Sequence, residues 1–185
     1  MKNLLFFIST ILIVSCVAPA NSNSNQVDPY EYDVEAKIEE LGIKLPTPKA
    51  PSGANIVRAV RSGNLLFLSG KGPTKPDGQN ITGKVGEELD TQAGYDAARL
   101  VAINQLAVLK AELGDLNKVV RLVKVFGMVN ASPNFTDHSK VINGFSDLMI
   151  EVFGERGKHA RAAVGMVSLP GNIAVEVDIV VEIQD

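Results

Sequence analysis

The sequence predicts an α+β domain in which one mixed sheet carries two helices on a single face. Two long segments, Thr91 to Leu113 and Asp137 to Phe153, repeat apolar residues at spacings of three and four, the period of an amphipathic helix. Five shorter runs are rich in β-branched residues and bounded by turn residues, as strands are. Their order along the chain is β-β-α-β-α-β-β. Packing both helices on one side of a sheet is the economical way to bury the two apolar stripes.

The first twenty residues stand apart from that domain. Lys2 precedes an apolar run from Leu4 to Val14, which is too short to span a bilayer and has the pattern of a secretory signal. It offers two exits. Ile13-Val14-Ser15-Cys16 resembles a lipobox, which would leave a lipid-modified Cys16 as a membrane anchor; Ala18-Pro19-Ala20 resembles a small-x-small cleavage site. Either way an exported protein is expected, periplasmic or held at a membrane as a lipoprotein. Cys16 is the single cysteine, so the exported domain must stand without disulfides.

Residues 21–54 read as a linking segment. Asn21 to Gln26 is a polar tether. A short helix follows from Asp33 to Leu41, with Val34, Ile38 and Leu41 on one stripe, and the run Pro46 to Pro51 is an extended connector. The compact domain, residues 55–185, begins near Asn55. Ile56 to Arg61 and Leu65 to Ser69 form a hairpin turned by Ser62-Gly63-Asn64. The first long helix, Thr91 to Leu113, sets Tyr95, Ala98, Ala102, Leu106, Leu109 and Leu113 on one stripe, and Gly114 stops it. Val119 to Val129 is a central strand. The second helix, Asp137 to Phe153, takes Thr136 as N-cap and buries Val141, Phe145, Leu148 and Val152, with Gly154 at its end. Ala162 to Ser168 and Ile173 to Ile183 are the closing strands.

With both helices on one face, the other sheet face is left uncovered. If it is largely apolar it asks for another subunit, so a homo-oligomer is expected.

Most familiar chemistries can be set aside. The chain has two histidines, His138 and His159, and no cysteine in the domain, too few ligands for a structural zinc site. It contains neither a Walker loop nor a nucleophile elbow. A net charge of −3 is the wrong sign for a nucleic-acid binder. Gly70-Lys71-Gly72 is either a bend after a strand or a loop offering backbone N–H groups to an anion.

Arg161 and Glu176 remain, residue types rarely buried unless paired. Alternation sets Glu176, Asp178 and Glu182 on one side of the last strand, which a solvated sheet face would also explain. If the last two strands pair symmetrically about Pro170-Gly171, Arg161 lies opposite Val180 and Glu176 opposite Gly165. That offset is about 13 Å at a strand's rise. A bulge or a neighbouring subunit would then be needed to bring both to one small ligand.

The stretches "SGNLLFLSGKGP", "VINGFSDLMIEVFG" and "HARAAVGMVSLPGNIAVEV" resemble the RidA/YjgF family of reactive-intermediate deaminases, labelled in part endoribonuclease L-PSP, from about Asn55 to the C-terminus. The resemblance implies a chorismate-mutase-like fold, a homotrimer, and ligand sites in clefts between subunits. It implies that Arg161 forks onto a substrate carboxylate and that Glu176 positions a water against an imine carbon. A small carboxylated 2-imino acid or enamine would give a 2-keto acid and ammonia. Ser69, Gly70, Lys71, Asn143 and Ala163 fall on positions lining the family pocket. The chain departs from the family pattern at Ile56, where a tyrosine is usual, at Lys71 in place of glutamine, and at Ala163 in place of cysteine. Lys71 would lie near Arg161 and attract anions, or pair with Glu176 and block the water. No metal or organic cofactor is implied. The alternative readings are a trimer that binds a small carboxylate without turning it over and, further off, an endoribonuclease.

Overall fold

The computed structural model describes residues 32–49 and 55–184. The expected signal sequence, Cys16 and the polar tether lie outside them.

The expected α+β architecture is present. Helix α1 (Val34–Glu40) precedes a five-stranded sheet of β1 (Ala59–Ser62), β2 (Leu65–Lys71), β3 (Val119–Asn130), β4 (Ala160–Met166) and β5 (Val175–Ile183). Helices α2 (Thr91–Leu113) and α3 (His138–Phe153) pack on one face. The strand order is β1-β2-β5-β3-β4. Only β3 and β4 run parallel; the other neighbours are antiparallel.

The core lies between that face and the helices. Val101, Leu106 and Leu109 of α2 and Phe145, Leu148 and Val152 of α3 meet Leu122, Val125, Val177, Ile179 and Val181 of the sheet, all of them buried. Gly144 lets the helices approach closely, since a Cβ there would fall 2.0 Å from the Tyr95 carbonyl oxygen. Gly114 ends α2 with φ 73°, a conformation that favours glycine. The opposite face carries Val60, Phe67, Phe126, Met128 and Val164 beside Lys124, Glu176 and Asp178, by strand alternation and register. Val60 and Phe67 are exposed there, at 55% and 44%.

Four expectations are corrected. First, the last two strands are not a hairpin, because β3 lies between them. Helix α3 is the crossover from β3 to β4, and a crossover of that kind makes the two strands parallel. The link to β5 then passes the end of β3, where the buried Asn130 amide donates to Asn172 Oδ1 at 2.8 Å. Second, Thr136 is not the cap of α3; Asp137 holds that position, without a side-chain capping bond. Third, α1 belongs to the folded unit although it precedes Asn55. Val34 and Ile38 are buried, the Val34 amide donates to Asn117 Oδ1 at 2.8 Å, and Lys110 pairs with Glu35 at 2.7 Å. The first strand is also shorter than expected, beginning at Ala59, and Ile56 is 59% exposed.

Candidate functional site

Arg161 stands on the edge strand β4, on the side of the sheet that bears the helices. Its Nη1 donates to Asn143 Oδ1 and to Ser146 Oγ, each at 2.9 Å. Nη2 makes only a long contact of 3.5 Å with the Ser139 carbonyl. The Nε/Nη2 edge is therefore the side of the guanidinium open to a carboxylate, which it can grip with two parallel hydrogen bonds. Asn143 and Ser146 project from α3 one turn apart, the spacing that places two helix residues on one face.

Behind Arg161 the hydrogen bonds run in one direction. His159 Nδ1 lies 2.6 Å from the Gly157 carbonyl, which can only accept, so Nδ1 carries the proton and Nε2 accepts. Ser146 Oγ, 3.0 Å from that Nε2, donates to it and accepts from Arg161. Burial holds the imidazole below the ordinary histidine range; the Gly157 carbonyl opposes this and the Arg161 charge reinforces it. A neutral His159 fits the acceptor role.

Glu176 points to the opposite face, half-buried on β5, and its carboxylate lies against Gly70. A Cβ at Gly70 would fall 2.2 Å from Glu176 Oε1. A methyl here would push the Glu176 carboxylate aside, so the glycine leaves that carboxylate its place. Gly70 belongs to a bulge, where the β2–β5 register shifts between Leu68 and Lys71. Bulges commonly re-aim side chains in this way. Gln105 of α2 spans the bulge, its Nε2 donating to the Ser69 carbonyl at 3.1 Å and the Val177 carbonyl at 2.8 Å. The carboxylate of Glu176 has no hydrogen bond or ion pair among the described residues. Burial, with the charge of Asp178 adding to it, pushes the Glu176 carboxyl above the ordinary glutamate range.

Glu176, Ser69, Gly70, Lys71 and Asn104 line a cavity of about 790 Å³, together with Ile56 and Pro170. Asn104 fixes the loop beyond β2 by donating to the carbonyls of Gly72 and Thr74. Ser69 Oγ donates to the Val57 carbonyl at 2.7 Å. Lys71 makes no ion pair with Glu176; its charged neighbour is Arg58. Burial, then the Arg58 charge, lowers the Lys71 amine. The expectation that Lys71 pairs with Glu176 or sits beside Arg161 does not hold within one chain. Lys71 lines the cavity together with Asn104, Ala107 and Val108 of α2, while Arg161 stands on β4, at the far edge of the sheet.

The site residues thus fall into two groups. Arg161, Asn143 and Ala163 belong to the β4–α3 side, with Ala163 packed partly buried against the core. Glu176, Ser69, Gly70 and Lys71 belong to the β2–β5 side. Arg161 pairs with Val125, which pairs with Ile179, so it stands level with a residue three beyond Glu176. The two Cα atoms are about 10 Å apart along the strands and about 10 Å across two strand spacings, and the side chains point to opposite faces. No bulge among the described residues closes that gap. The described residues contain no group of three His, Cys, Asp or Glu side chains able to hold a metal ion.

Sequence reasoning missed Gln105, Ser146 and His159. The available signal was a polar residue interrupting an apolar helix stripe, which both Gln105 and Ser146 do.

Comparison with known proteins bears on the fold and descent. A family model described as "YjgF/chorismate_mutase-like, putative endoribonuclease" matches residues 35–183. The chain is 46% identical over 153 residues to Protein TCP17 of Trypanosoma cruzi, covering 82% of this chain and 95% of that protein. It is 29% identical over 122 residues to the RutC family protein PH0854 of Pyrococcus horikoshii, covering 65% of this chain and 81% of the relative. Among solved structures, the protein Atu1372 of unknown function from Agrobacterium tumefaciens superposes with a TM-score of 0.76 at 46% identity, over 82% of this chain and 92% of its own. The element order, the sheet with two helices on one face and these matches agree: the chain belongs to the YjgF/chorismate-mutase-like family.

Proposed function

We propose that the protein is an exported homotrimer that hydrolyses small carboxylated 2-imino acids or enamines to 2-keto acids and ammonia, each site built from two subunits. The observation that carries the reading is Glu176, a half-buried carboxylate without a counter-ion among the described residues, aimed along Gly70 at a cavity. Such a group suits holding and deprotonating a water. A trimer fits a family whose members are generally oligomeric and would set the free edge of Arg161 from one copy across from Glu176 of the next. Arg161 then fixes the substrate carboxylate. A water held by Glu176 adds to the carbon of the protonated imine and passes one proton to the carboxylate. Glu176 hands that proton to the nitrogen of the resulting carbinolamine, and as the C–N bond breaks and ammonia leaves, the hydroxyl proton passes to Glu176 and the keto acid's C=O forms. The net charge of −3 speaks against RNA as substrate.

The test is ammonia release from freshly generated 2-iminopropionate by the purified protein. Arg161→Ala should lower kcat/KM by roughly a hundredfold, the scale of losing a bidentate charge-assisted contact. Carboxylate binding without any ammonia release from the wild-type trimer would replace the enzyme by a binding protein. Unchanged turnover in Arg161→Ala would show that the site lies elsewhere.

The hydrogen-bond chain behind Arg161 gives a milder prediction. Ser146→Ala removes one of two partners holding Nη1, so it should raise KM roughly tenfold, one hydrogen bond to a charged group, with kcat nearly intact. A matching loss in kcat alone would refute a purely positioning role.

A further inference from the structure

The cavity beside Glu176 has features that a three-carbon imino acid does not use. Its volume, about 790 Å³, lies in the upper part of the range that holds drug-sized ligands, roughly 300–1,000 Å³. Its charged lining is mainly cationic, with Lys49, Lys71 and Lys75 set against Asp77 and Glu176.

Lys71 is the informative member. It makes no hydrogen bond or ion pair among the described residues, whereas Arg58 beside it is matched by Glu112 at 3.0 Å and by the Pro48 carbonyl. Lys71 pairs in register with Val177, whose side chain is buried toward the helices, while the adjacent Glu176 points to the other face. The ammonium and the carboxylate therefore flank the open end of β2 without neutralising each other. Holding a half-buried cation next to another cation is costly, and an anion between them relieves that cost. The burial that depresses the Lys71 amine is consistent with this.

We infer that Lys71 reads a second anionic group, so that the preferred substrates are 2-imino acids with an acidic side chain, dicarboxylates of succinate to glutarate length. This rests on the proposed imine hydrolysis. The imine carbon lies at Glu176, the first carboxylate on Arg161 of the next copy, and the side chain runs past Gly70 to Lys71. Gly70 matters twice, since a side chain there would obstruct both the carboxylate and this path.

The experiment compares 2-iminopropionate with 2-iminoglutarate, each made in place by an amino-acid oxidase, by following ammonia release from the full chain. Wild type should favour 2-iminoglutarate by about tenfold or more in kcat/KM, the worth of one charge-assisted contact. Lys71→Met should bring the ratio near one, and Lys71→Arg should keep most of it. Equal use of both imines by wild type, or a ratio unmoved by Lys71→Met, would overturn the inference while leaving imine hydrolysis standing. Should neither imine be hydrolysed, the enzyme reading fails by itself, and calorimetry with glutarate and butyrate decides the selectivity. Tighter glutarate binding that depends on Lys71 supports the inference; equal binding overturns it.

Discussion

Replacing Glu176 by glutamine should lower kcat for ammonia release by about two to four orders of magnitude, the range for loss of a general base, while the affinity for a substrate carboxylate changes little. Glutamine keeps the shape of the side chain and its place over Gly70, so the cavity is preserved and the ability to take a proton from water is lost. The same change should stabilise the fold. The Glu176 carboxyl is raised by burial, and by Asp178 in addition, so the folded state prefers the protonated acid. That preference is harmless at pH values below the unfolded carboxylate pKa, and it becomes a cost as pH rises through the folded value. Glu176→Gln should therefore melt higher than wild type at neutral pH, with the gap closing as the solution is acidified below the ordinary carboxylate range. Rates and melting curves measured together check both halves. Lower stability at neutral pH would mean that Glu176 has a partner that the single chain does not reveal.

Gly144→Ala should be among the most damaging single-methyl changes for stability. Gly144 lies where α3 crosses α2, and the added Cβ would fall 2.0 Å from the Tyr95 carbonyl oxygen and 3.1 Å from the Arg99 amide nitrogen. Both are backbone atoms inside a helix, so no side chain can turn aside. The helices must separate, loosening Phe145 and Leu148 from the sheet. A cost of about 3 kcal/mol is the upper end for overpacking, equivalent to a fall in Tm of roughly 6–12 °C for a domain of this size. Thermal melts of the purified variant test this, and a shift below about 2 °C would show that the crossing is looser than described. The effect also bears on function, because α3 carries Asn143 and Ser146 to Arg161.

Periodicity was enough to place α2 and α3, since their apolar stripes are long and their ends are marked by Gly114 and Gly154. Alternation likewise placed Glu176 opposite the core-facing valines of β5. Register was harder. Two apolar runs joined by Leu169-Pro170-Gly171-Asn172 look like a hairpin locally. Only the strand-helix-strand unit of β3, α3 and β4 shows that β4 must lie parallel to β3, on the far side of it from β5. The bulge at Gly70 was legible only as two glycines around a lysine. What makes it a site is the approach of Glu176 from a strand more than a hundred positions later. Residues such as Gln105 and Ser146 were invisible to a search for apolar stripes because they are polar side chains buried for the sake of a neighbour's carbonyl or guanidinium.

The central claim is that Arg161 of one copy and Glu176 of another complete a single site, and mixing two impaired variants tests it most directly. Arg161→Ala and Glu176→Gln, each left with about one per cent of wild-type activity or less, would be unfolded together and reassembled, with mixed oligomers verified by mass. In a closed ring of randomly assorted subunits, about a quarter of the interfaces join an intact Arg161 to an intact Glu176. Recovery of roughly that fraction of wild-type ammonia release is the result expected for a shared site. Mixed oligomers no more active than either variant would contradict it and place both residues' work within one chain or elsewhere.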